Sequence, residues 1–301
     1  MKLKKHLILV VLCVFVISLA ACSTETATEL PDNIRIRLSE SNEGHWGDNA
    51  AGFIDAGEFE RVHRPRVVVI DTGNNIEDDD RIVTGYNAMD SSSDVSDTDG
   101  HGTLVITELL RLVEYVEVIP VKISESDEIF LNYLLRGLEK SISLQPDIIN
   151  MSIGTATDHP EIAHLIAQAI EQNIVVIAAA GSLGGDELLF PARYDGVISV
   201  LARSINNLDI DSNNKCETNR SFSAPGVNVL VGDEQITGSS IAVAYVTAIV
   251  SQMIAVAGSE QLSIAEIEHI LITTSLHPTR FSHGLVQYNR ALERTANRER
   301  V

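Results

Sequence analysis

The feature that most constrains the fold is a series of five short runs of β-branched and other apolar residues, each separated from the next by a stretch with helical periodicity. The runs cover residues 66–71, 116–123, 147–151, 174–180 and 197–201. They have no polar face, which is typical of strands covered on both sides in a parallel sheet. The alternation predicts a three-layer α/β domain, with a mostly parallel central sheet, helices on both faces and right-handed crossovers.

The helical stretches are of two kinds. Residues 101–114, 128–143 and 161–172 carry apolar side chains three or four positions apart, which predicts helices on the faces of the sheet. Residues 240–257 are apolar almost all round, which predicts a helix buried in the middle of the domain. A membrane span is the alternative, but polar residues interrupt the run and it lies late in an α/β pattern. We therefore favour the buried helix.

The first 21 residues have the pattern of an export signal. Basic residues at the start are followed by an apolar run over 7–20 that is too short for a comfortable membrane span. The run ends in Leu19-Ala20-Ala21-Cys22, which resembles a bacterial lipobox. The resemblance implies cleavage before Cys22, a lipid on its thiol, and a protein held on the outer face of a bacterial membrane. An ordinary cleavage site beside an incidental cysteine is the alternative.

Residues 22–64 are polar and mixed, without a sustained period, and predict a tether or N-terminal extension that leads to one domain over 65–301. Cys216 would be the one free thiol of the mature protein, so no intramolecular disulfide is expected. The formal charge of −20 argues against a nucleic-acid partner. A solvated acidic surface explains this charge most simply, and selection of basic substrates or cations is the alternative. We expect a monomer.

Three short blocks place reactive side chains at the ends of predicted elements. Asp71 ends a buried strand, where open α/β sheets gather functional groups. His101 begins a helix between two glycines. Ser240 lies at the start of the buried helix, where the helix dipole favours a developing negative charge. Taken singly, Asp71 could cap a loop, His101 could be an ordinary surface residue and Ser240 could be an N-cap.

Together, in the order Asp, His, Ser, the blocks resemble the subtilase family, whose blocks read D-[ST]-G, H-G-T and G-T-S-M-A. The chain reads Asp-Thr-Gly, His-Gly-Thr and Gly-Ser-Ser-Ile-Ala at these places. Blocks at 149–154, 178–182 and 223–228 also resemble the family, over about residues 66–257. The resemblance implies a subtilisin-like serine endopeptidase in which Ser240 attacks the peptide carbonyl, His101 takes its proton and Asp71 orients the imidazole.

The same resemblance implies how a polypeptide substrate binds. An extended peptide would join a strand edge by main-chain hydrogen bonds, and its side chain would enter a walled specificity pocket. The edge is formed by Ser152, Ile153 and Gly154, and the pocket walls by Ala179, Ala180 and Gly181. Leu189 or Phe190 would form a shallow, apolar floor. No cofactor is required for this chemistry.

The chain departs from the family pattern in ways that affect catalysis. The oxyanion asparagine is replaced by Ser182, a shorter donor, which predicts slow turnover or narrow specificity. The nucleophile helix lacks the usual proline, and Leu104 stands where the family has a second histidine. The residues before the first strand are fewer than in the usual folding-assisting propeptide, so autoactivation is doubtful. A catalytically impaired peptide-binding lipoprotein is the alternative function.

Structural calcium is common in subtilases, and two acidic stretches could supply ligands here. These are residues 77–80 and 94–99. Neither has calcium-loop spacing, and solvated loops explain them more simply. We therefore assign no metal ligand, and structural calcium remains a possibility without a site.

Overall fold

The computed structural model describes residues 7–8, 45–53, 59–206, 210, 212–217, 221–258 and 261–298. The helices are α1 (Trp46–Ala50), α2 (His101–Leu112), α3 (Leu131–Ser143), α4 (Pro160–Glu171), α5 (Ser239–Ala257), α6 (Ile264–Thr274) and α7 (Tyr288–Ala296). The strands are β1 (Leu7–Ile8), β2 (Arg66–Asp71), β3 (Tyr86–Asn87), β4 (Glu117–Lys122), β5 (Ile129–Phe130), β6 (Ile148–Met151), β7 (Val175–Ala179), β8 (Ile198–Arg203), β9 (Ser221–Pro225), β10 (Val229–Val231), β11 (Glu234–Ile236) and β12 (Ser282–Leu285).

Eight strands form the central sheet, in the order β12-β9-β8-β7-β6-β2-β4-β3, and all neighbours are parallel. Two antiparallel pairs lie outside it, β10 with β11 and β1 with β5. The predicted mostly parallel α/β fold is confirmed. Parallel pairing brings the carboxyl ends of all eight strands to one edge of the sheet.

Side chains of β2 alternate between two hydrophobic cores, one on each face of the sheet. Val67 and Val69 pack with α2, α5 and α7 in the first core, and Val68 and Ile70 pack with α3 and α4 in the second. All four are buried. Each face therefore needs its own layer of helices, which is why the strand sequences lack a polar face.

Helix α5 runs through the larger core, and all but its last two residues are buried. Among the described residues it is the one helix long and apolar enough to cross a membrane, and 89% of its apolar window is buried inside the domain. Its polar side chains have partners there: the Thr247 hydroxyl accepts from Asn150 Nδ2 at 2.9 Å, and Ser251 Oγ donates to the Ala248 carbonyl at 2.8 Å. The buried-helix interpretation therefore holds.

The structure differs from the sequence expectations at several elements. Helix α3 begins at Leu131 instead of residue 128, because Ile129–Phe130 form a strand. Strand β9 was not predicted, since its serines break the apolar pattern. The Ser221 hydroxyl accepts from Ser199 at 2.8 Å and that of Ser223 pairs with Ser282 at 2.6 Å, so these polar groups are buried in pairs. Strand β12 and helices α6 and α7 were also missed.

Part of the predicted tether is folded against the domain. Helix α1 buries Trp46, and the carbonyl of the following Ala51 accepts from the Tyr288 N–H at 2.8 Å. Farther along, the Val62 N–H donates to the Ala255 carbonyl at 3.0 Å. A helix of five residues is too short to give a hydrophobic period, so the sequence of this segment has the pattern of a tether. Residues 22–44 and 54–58 of the predicted tether lie outside the described residues, as does Cys22.

Candidate active site

Four of the predicted site residues come from four elements that meet at the carboxyl edge of the sheet. Asp71 is the last residue of β2, and Ser152 directly follows the neighbouring strand β6. His101 is the first residue of α2, and Ser240 is the second residue of α5. The edge geometry of a parallel sheet brings these residues together from positions far apart in the chain.

The side chains of Asp71 and His101 form a buried hydrogen-bonded pair. The His101 Nδ1 lies 2.7 Å from Asp71 Oδ1, and the two side chains are 4% and 1% exposed. The Thr72 N–H donates to the same carboxylate oxygen at 2.8 Å and fixes its orientation. Because a carboxylate accepts only, Nδ1 carries the proton, and the lone pair of a neutral imidazole is on Nε2.

Gly102 allows this close approach. A Cβ at this position would lie 2.4 Å from the Gly73 carbonyl oxygen and 3.1 Å from Asp71 Cβ. Any side chain would therefore push the start of α2 away from the end of β2. The Gly102 N–H also donates to Thr72 Oγ1 at 2.9 Å, which ties the helix to the strand end. The glycine of the His-Gly-Thr block is thus required by packing beneath the imidazole.

Ser240 lies at the same edge but is not hydrogen-bonded to His101. Its Oγ donates to the Ser152 carbonyl at 3.2 Å. Within the described part of the chain, the buried His101 Nε2 and Asp71 Oδ2 have no hydrogen-bond partner. The structure therefore pairs Asp71 with His101 but not His101 with Ser240. His101 Nε2, the nitrogen that would accept the serine proton, has no hydrogen-bond partner there.

The electrostatic surroundings of His101 favour its protonated form. Burial lowers the pKa of the imidazole, but the carboxylates of Asp71, Asp99 and Asp97 outweigh it, so the pKa is raised above its ordinary value of 6.5. Asp71 supplies both charge and a hydrogen bond. Asp99 is exposed on the loop before α2, and Asp97 is buried. The three carboxylates stabilise the imidazolium that forms if His101 takes a proton.

Ser182 contacts the residue immediately before Ser240. Its Oγ lies 3.0 Å from Ser239 Oγ and accepts from the Ser239 N–H at 3.3 Å. Ser239 is fully buried and was not singled out from the sequence. The signal available was its place beside the predicted nucleophile, at a helix start where polar groups meet the positive end of the dipole. The Ser182 hydroxyl is therefore hydrogen-bonded to the residue that precedes Ser240.

The residues predicted to bind substrate are all buried. The Ser152 hydroxyl donates to the Ser240 carbonyl at 3.2 Å, and the Ser240 hydroxyl donates to the Ser152 carbonyl. Two hydrogen bonds therefore join the predicted peptide-binding edge to α5. Ile153 and Gly154 follow it along the edge. The predicted pocket walls are likewise buried: Ala179, Ala180 and Gly181.

Leu189 fills the space between the two sets of residues. Its side chain is 5% exposed, and a Cβ built on Gly154 or Gly181 would lie within 3 Å of it. The Leu189 N–H donates to the Ala180 carbonyl at 2.9 Å. Phe190 instead packs against Tyr194, with ring centroids 4.8 Å apart. Of the two residues expected at the pocket floor, Leu189 is therefore the one between the walls.

The acidic stretches considered for calcium are engaged by protein groups. Asp79 pairs with Arg81 at 2.6 Å, and this hydrogen bond lowers the pKa of Asp79. Asp97 accepts from Thr103 Oγ1 at 2.6 Å and from the Gly100 N–H at 2.8 Å. No group of three or more histidine, cysteine or acidic side chains that could hold a metal exists among the described residues. The carboxylates of Asp79 and Asp97 are therefore engaged by protein groups.

Comparison with known proteins identifies the family. The family model "Subtilase family" matches residues 66–297. The minor extracellular protease Epr of Bacillus subtilis is 29% identical over 243 residues, 74% of this chain but 38% of Epr. The alkaline elastase YaB of a Bacillus species is 28% identical over 73% of this chain and 62% of its own length.

The chain therefore spans less than two thirds of these relatives. The crystal structure of a lanthipeptide protease superposes with a TM-score of 0.74 at 18% identity, covering 85% of this chain and 96% of that one, which is a likeness of fold. The family model covers well over half of this chain and includes every residue of the Asp, His and Ser blocks. The chain belongs to the subtilase family of serine peptidases.

Proposed function

We propose that this chain is a serine endopeptidase that hydrolyses peptide bonds with Asp71, His101 and Ser240. The observation that carries the proposal is the buried 2.7 Å contact between Asp71 and His101, whose Nε2 is unpaired at the sheet edge that also holds Ser240. A buried imidazole with one oriented nitrogen and one unpaired nitrogen is suited to act as a general base.

The mechanism begins with a rotation of Ser240. Its Oγ leaves the Ser152 carbonyl and donates to His101 Nε2. His101 takes the proton as Oγ attacks the peptide carbonyl carbon, and returns it to the amine as the C–N bond breaks. A water then hydrolyses the acyl ester by the same route. A substrate N–H that binds the Ser152 carbonyl would displace the hydroxyl from it, so that substrate binding favours the reactive arrangement.

The negative oxygen of the tetrahedral intermediate would be stabilised by the start of α5 and by Ser182. The Ser182 side chain is shorter than that of the family's asparagine. Its hydroxyl is also hydrogen-bonded to Ser239, which makes it less available as a donor to the oxyanion. Loss of one oxyanion donor costs about 10²–10³-fold in kcat, a value known from subtilisin itself. We therefore expect slower turnover than in relatives that keep the asparagine.

The substrate is a polypeptide whose residue at the cleaved carbonyl is small. It would lie extended along Ser152, Ile153 and Gly154, with its side chain directed between Gly154 and Gly181. Leu189 already occupies that space, which leaves room for glycine, alanine or serine and excludes large side chains. This filled pocket supports an enzyme of narrow range.

We place the enzyme outside the cytoplasm, on a lipid attached to Cys22. The support is the export signal and lipobox in the sequence, and one relative, Epr, that is described as extracellular. The acidic chain would act on peptides near the membrane surface.

A peptide-binding lipoprotein with impaired catalysis is the second candidate. It is favoured by the Ser240 hydroxyl bonded to Ser152 instead of His101, and by the replacement at Ser182.

Covalent labelling distinguishes the two functions. A fluorophosphonate probe should label the wild type, and Ser240→Ala should abolish labelling and lower peptide cleavage by several orders of magnitude, because the nucleophile is lost. Ser251→Ala, in the same helix, should retain both activities. Peptide affinity without labelling or cleavage in the wild type would instead establish the binding protein.

Ser182→Asn should raise kcat, by about tenfold or more, because the amide extends farther toward the oxyanion than the hydroxyl. Ser182→Ala, which removes the donor, should lower kcat. Steady-state kinetics on one peptide substrate measure both. A Ser182→Asn enzyme no faster than the wild type would refute the role assigned to Ser182.

The pH profile of kcat/KM should reflect the raised pKa of His101. The neutral imidazole is the active base, so activity rises with pH through this pKa, and the acidic limb lies above the ordinary pKa of 6.5. Asp99→Asn removes one carboxylate that raises the pKa, so it should move the limb to lower pH. Asp94→Asn, whose carboxylate binds Ser96, is the control and should leave the limb in place. An unmoved limb in Asp99→Asn contradicts the electrostatic assignment.

Leu189→Ala should broaden specificity. The shorter side chain opens the space between Gly154 and Gly181, so relative kcat/KM for peptides with leucine at the cleaved carbonyl should rise by about 10–100-fold over those with alanine. Profiling with a peptide library measures this ratio. Phe190→Leu, which alters the contact with Tyr194, should leave the preference unchanged, and an unaltered profile in Leu189→Ala would exclude Leu189 from the pocket.

The lipid anchor is tested by metabolic labelling with palmitate in a bacterial host. The wild type should incorporate label and sediment with membranes, and Cys22→Ser should do neither, since the thiol is the acceptor. Cys216→Ser should incorporate label as the wild type does. An unlabelled wild type would show that Cys22 is not an attachment site.

A further inference from the structure

Asp48, in the segment before the first central strand, joins the two helices that begin at the proposed active site. Its Oδ2 lies 2.7 Å from Arg111 Nη1, and its Oδ1 lies 2.7 Å from Arg111 Nη2. The Tyr245 hydroxyl donates to the same Oδ1 at 2.9 Å. Arg111 belongs to α2, which starts at His101, and Tyr245 belongs to α5, which carries Ser240. One carboxylate thus contacts both helices.

The contact is part of a closed and largely buried network. Arg111 also donates to both oxygens of Glu108, at 2.9 and 2.8 Å, and to the Tyr245 hydroxyl at 3.2 Å. Glu108 is fully buried. Burial lowers the pKa of Arg111, but Glu108 and Asp48 outweigh it, so the pKa is raised and the guanidinium keeps its charge. Bidentate contacts of this kind fix geometry as well as charge.

The surrounding surface is shaped for the segment that carries Asp48. A Cβ on Gly47 would lie 2.4 Å from the Tyr245 hydroxyl and 2.8 Å from Pro225 Cβ, so only glycine fits there. Phe53 stacks on Tyr288 with centroids 4.4 Å apart and meets Tyr245 edge-on at 5.8 Å. The segment is therefore held on both sides of the carboxylate.

The position of this network bears on catalysis. Tyr245 lies five residues after Ser240, and Arg111 ten residues after His101, so the network is about 7.5 and 15 Å along the two helices from the functional side chains. No hydrogen bond joins His101 to Ser240 directly in the described structure. Their alignment therefore depends on how α2 and α5 are held relative to each other.

We propose that Asp48 is a positioning residue that aligns His101 with Ser240 by joining α2 to α5. The inference rests on the proposed peptidase function. It also gives the segment between the lipid-bearing end and the domain a role in activity, since loss of its contacts would loosen the two helices together. Misplacement of reacting groups by about 1 Å can cost on the order of 10²-fold in rate.

Asp48→Ala should lower kcat and the rate of fluorophosphonate labelling of Ser240 by about 10–100-fold, with KM little changed. Arg61→Ala is the matched control: Arg61 Nε donates to Gln252 Oε1 at 2.7 Å, which joins the same segment to α5 but not to α2. This control should lower stability while keeping the labelling rate. Tyr245→Phe, which removes one hydroxyl only, should give a smaller loss and serves if Asp48→Ala does not fold.

Rates are compared at 25 °C, with folding checked by circular dichroism. Wild-type labelling in folded Asp48→Ala, with only a lower melting temperature, overturns the inference. A wild type that is not labelled removes the proposed function instead. In that case, the inference about Asp48 is tested by the low-field NMR signal of the His101 Nδ1 proton. A signal that shifts in Asp48→Ala and not in Arg61→Ala supports the role of Asp48 as a positioning residue, and an unchanged signal overturns it.

Discussion

The burial of α5 is the constraint on which the site depends. This helix can enter the middle of the domain because its apolar residues fill the larger core and its few hydroxyls have partners there, such as Thr247 with Asn150. Its first turn reaches the carboxyl edge of the sheet beside Ser152. The positive end of the helix dipole therefore lies at the same edge of the sheet as Asp71 and His101, in surroundings where charge is weakly screened.

In the described part of this acidic protein, two clusters of buried charge both involve helix α2. At the sheet edge, Asp71 compensates His101. Near the end of α2, Arg111 is compensated by Glu108 and Asp48. Removing one partner of a buried pair leaves an uncompensated charge, so each arrangement strongly specifies the position of its elements. The part of the preceding segment that carries Asp48 is thereby part of the folded domain.

Two features that bear on the proposed substrate site, Ser182 and Leu189, lie close together. Ser182 and Gly181 are adjacent in the chain, and Leu189 packs against Gly181. Under the proposed function, the replaced oxyanion donor and the space narrowed by Leu189 would both act on the substrate residue whose carbonyl is attacked. Such a site would exchange rate and range for discrimination against side chains larger than the space beside Gly154.

The sequence by itself determined the fold class and the residues around which the site is built. Apolar strands such as β2 can be stable only between two helix layers, and the order of the Asp71, His101 and Ser240 blocks is unusual enough to identify the family. It did not reveal β9, whose serines are buried in pairs, or the docking of Asp48, whose partners lie far away in the chain. Only the tertiary structure decided the Ser240 contact with Ser152 and the packing of Leu189 against Gly154 and Gly181, because both depend on distances between elements, which local patterns do not encode.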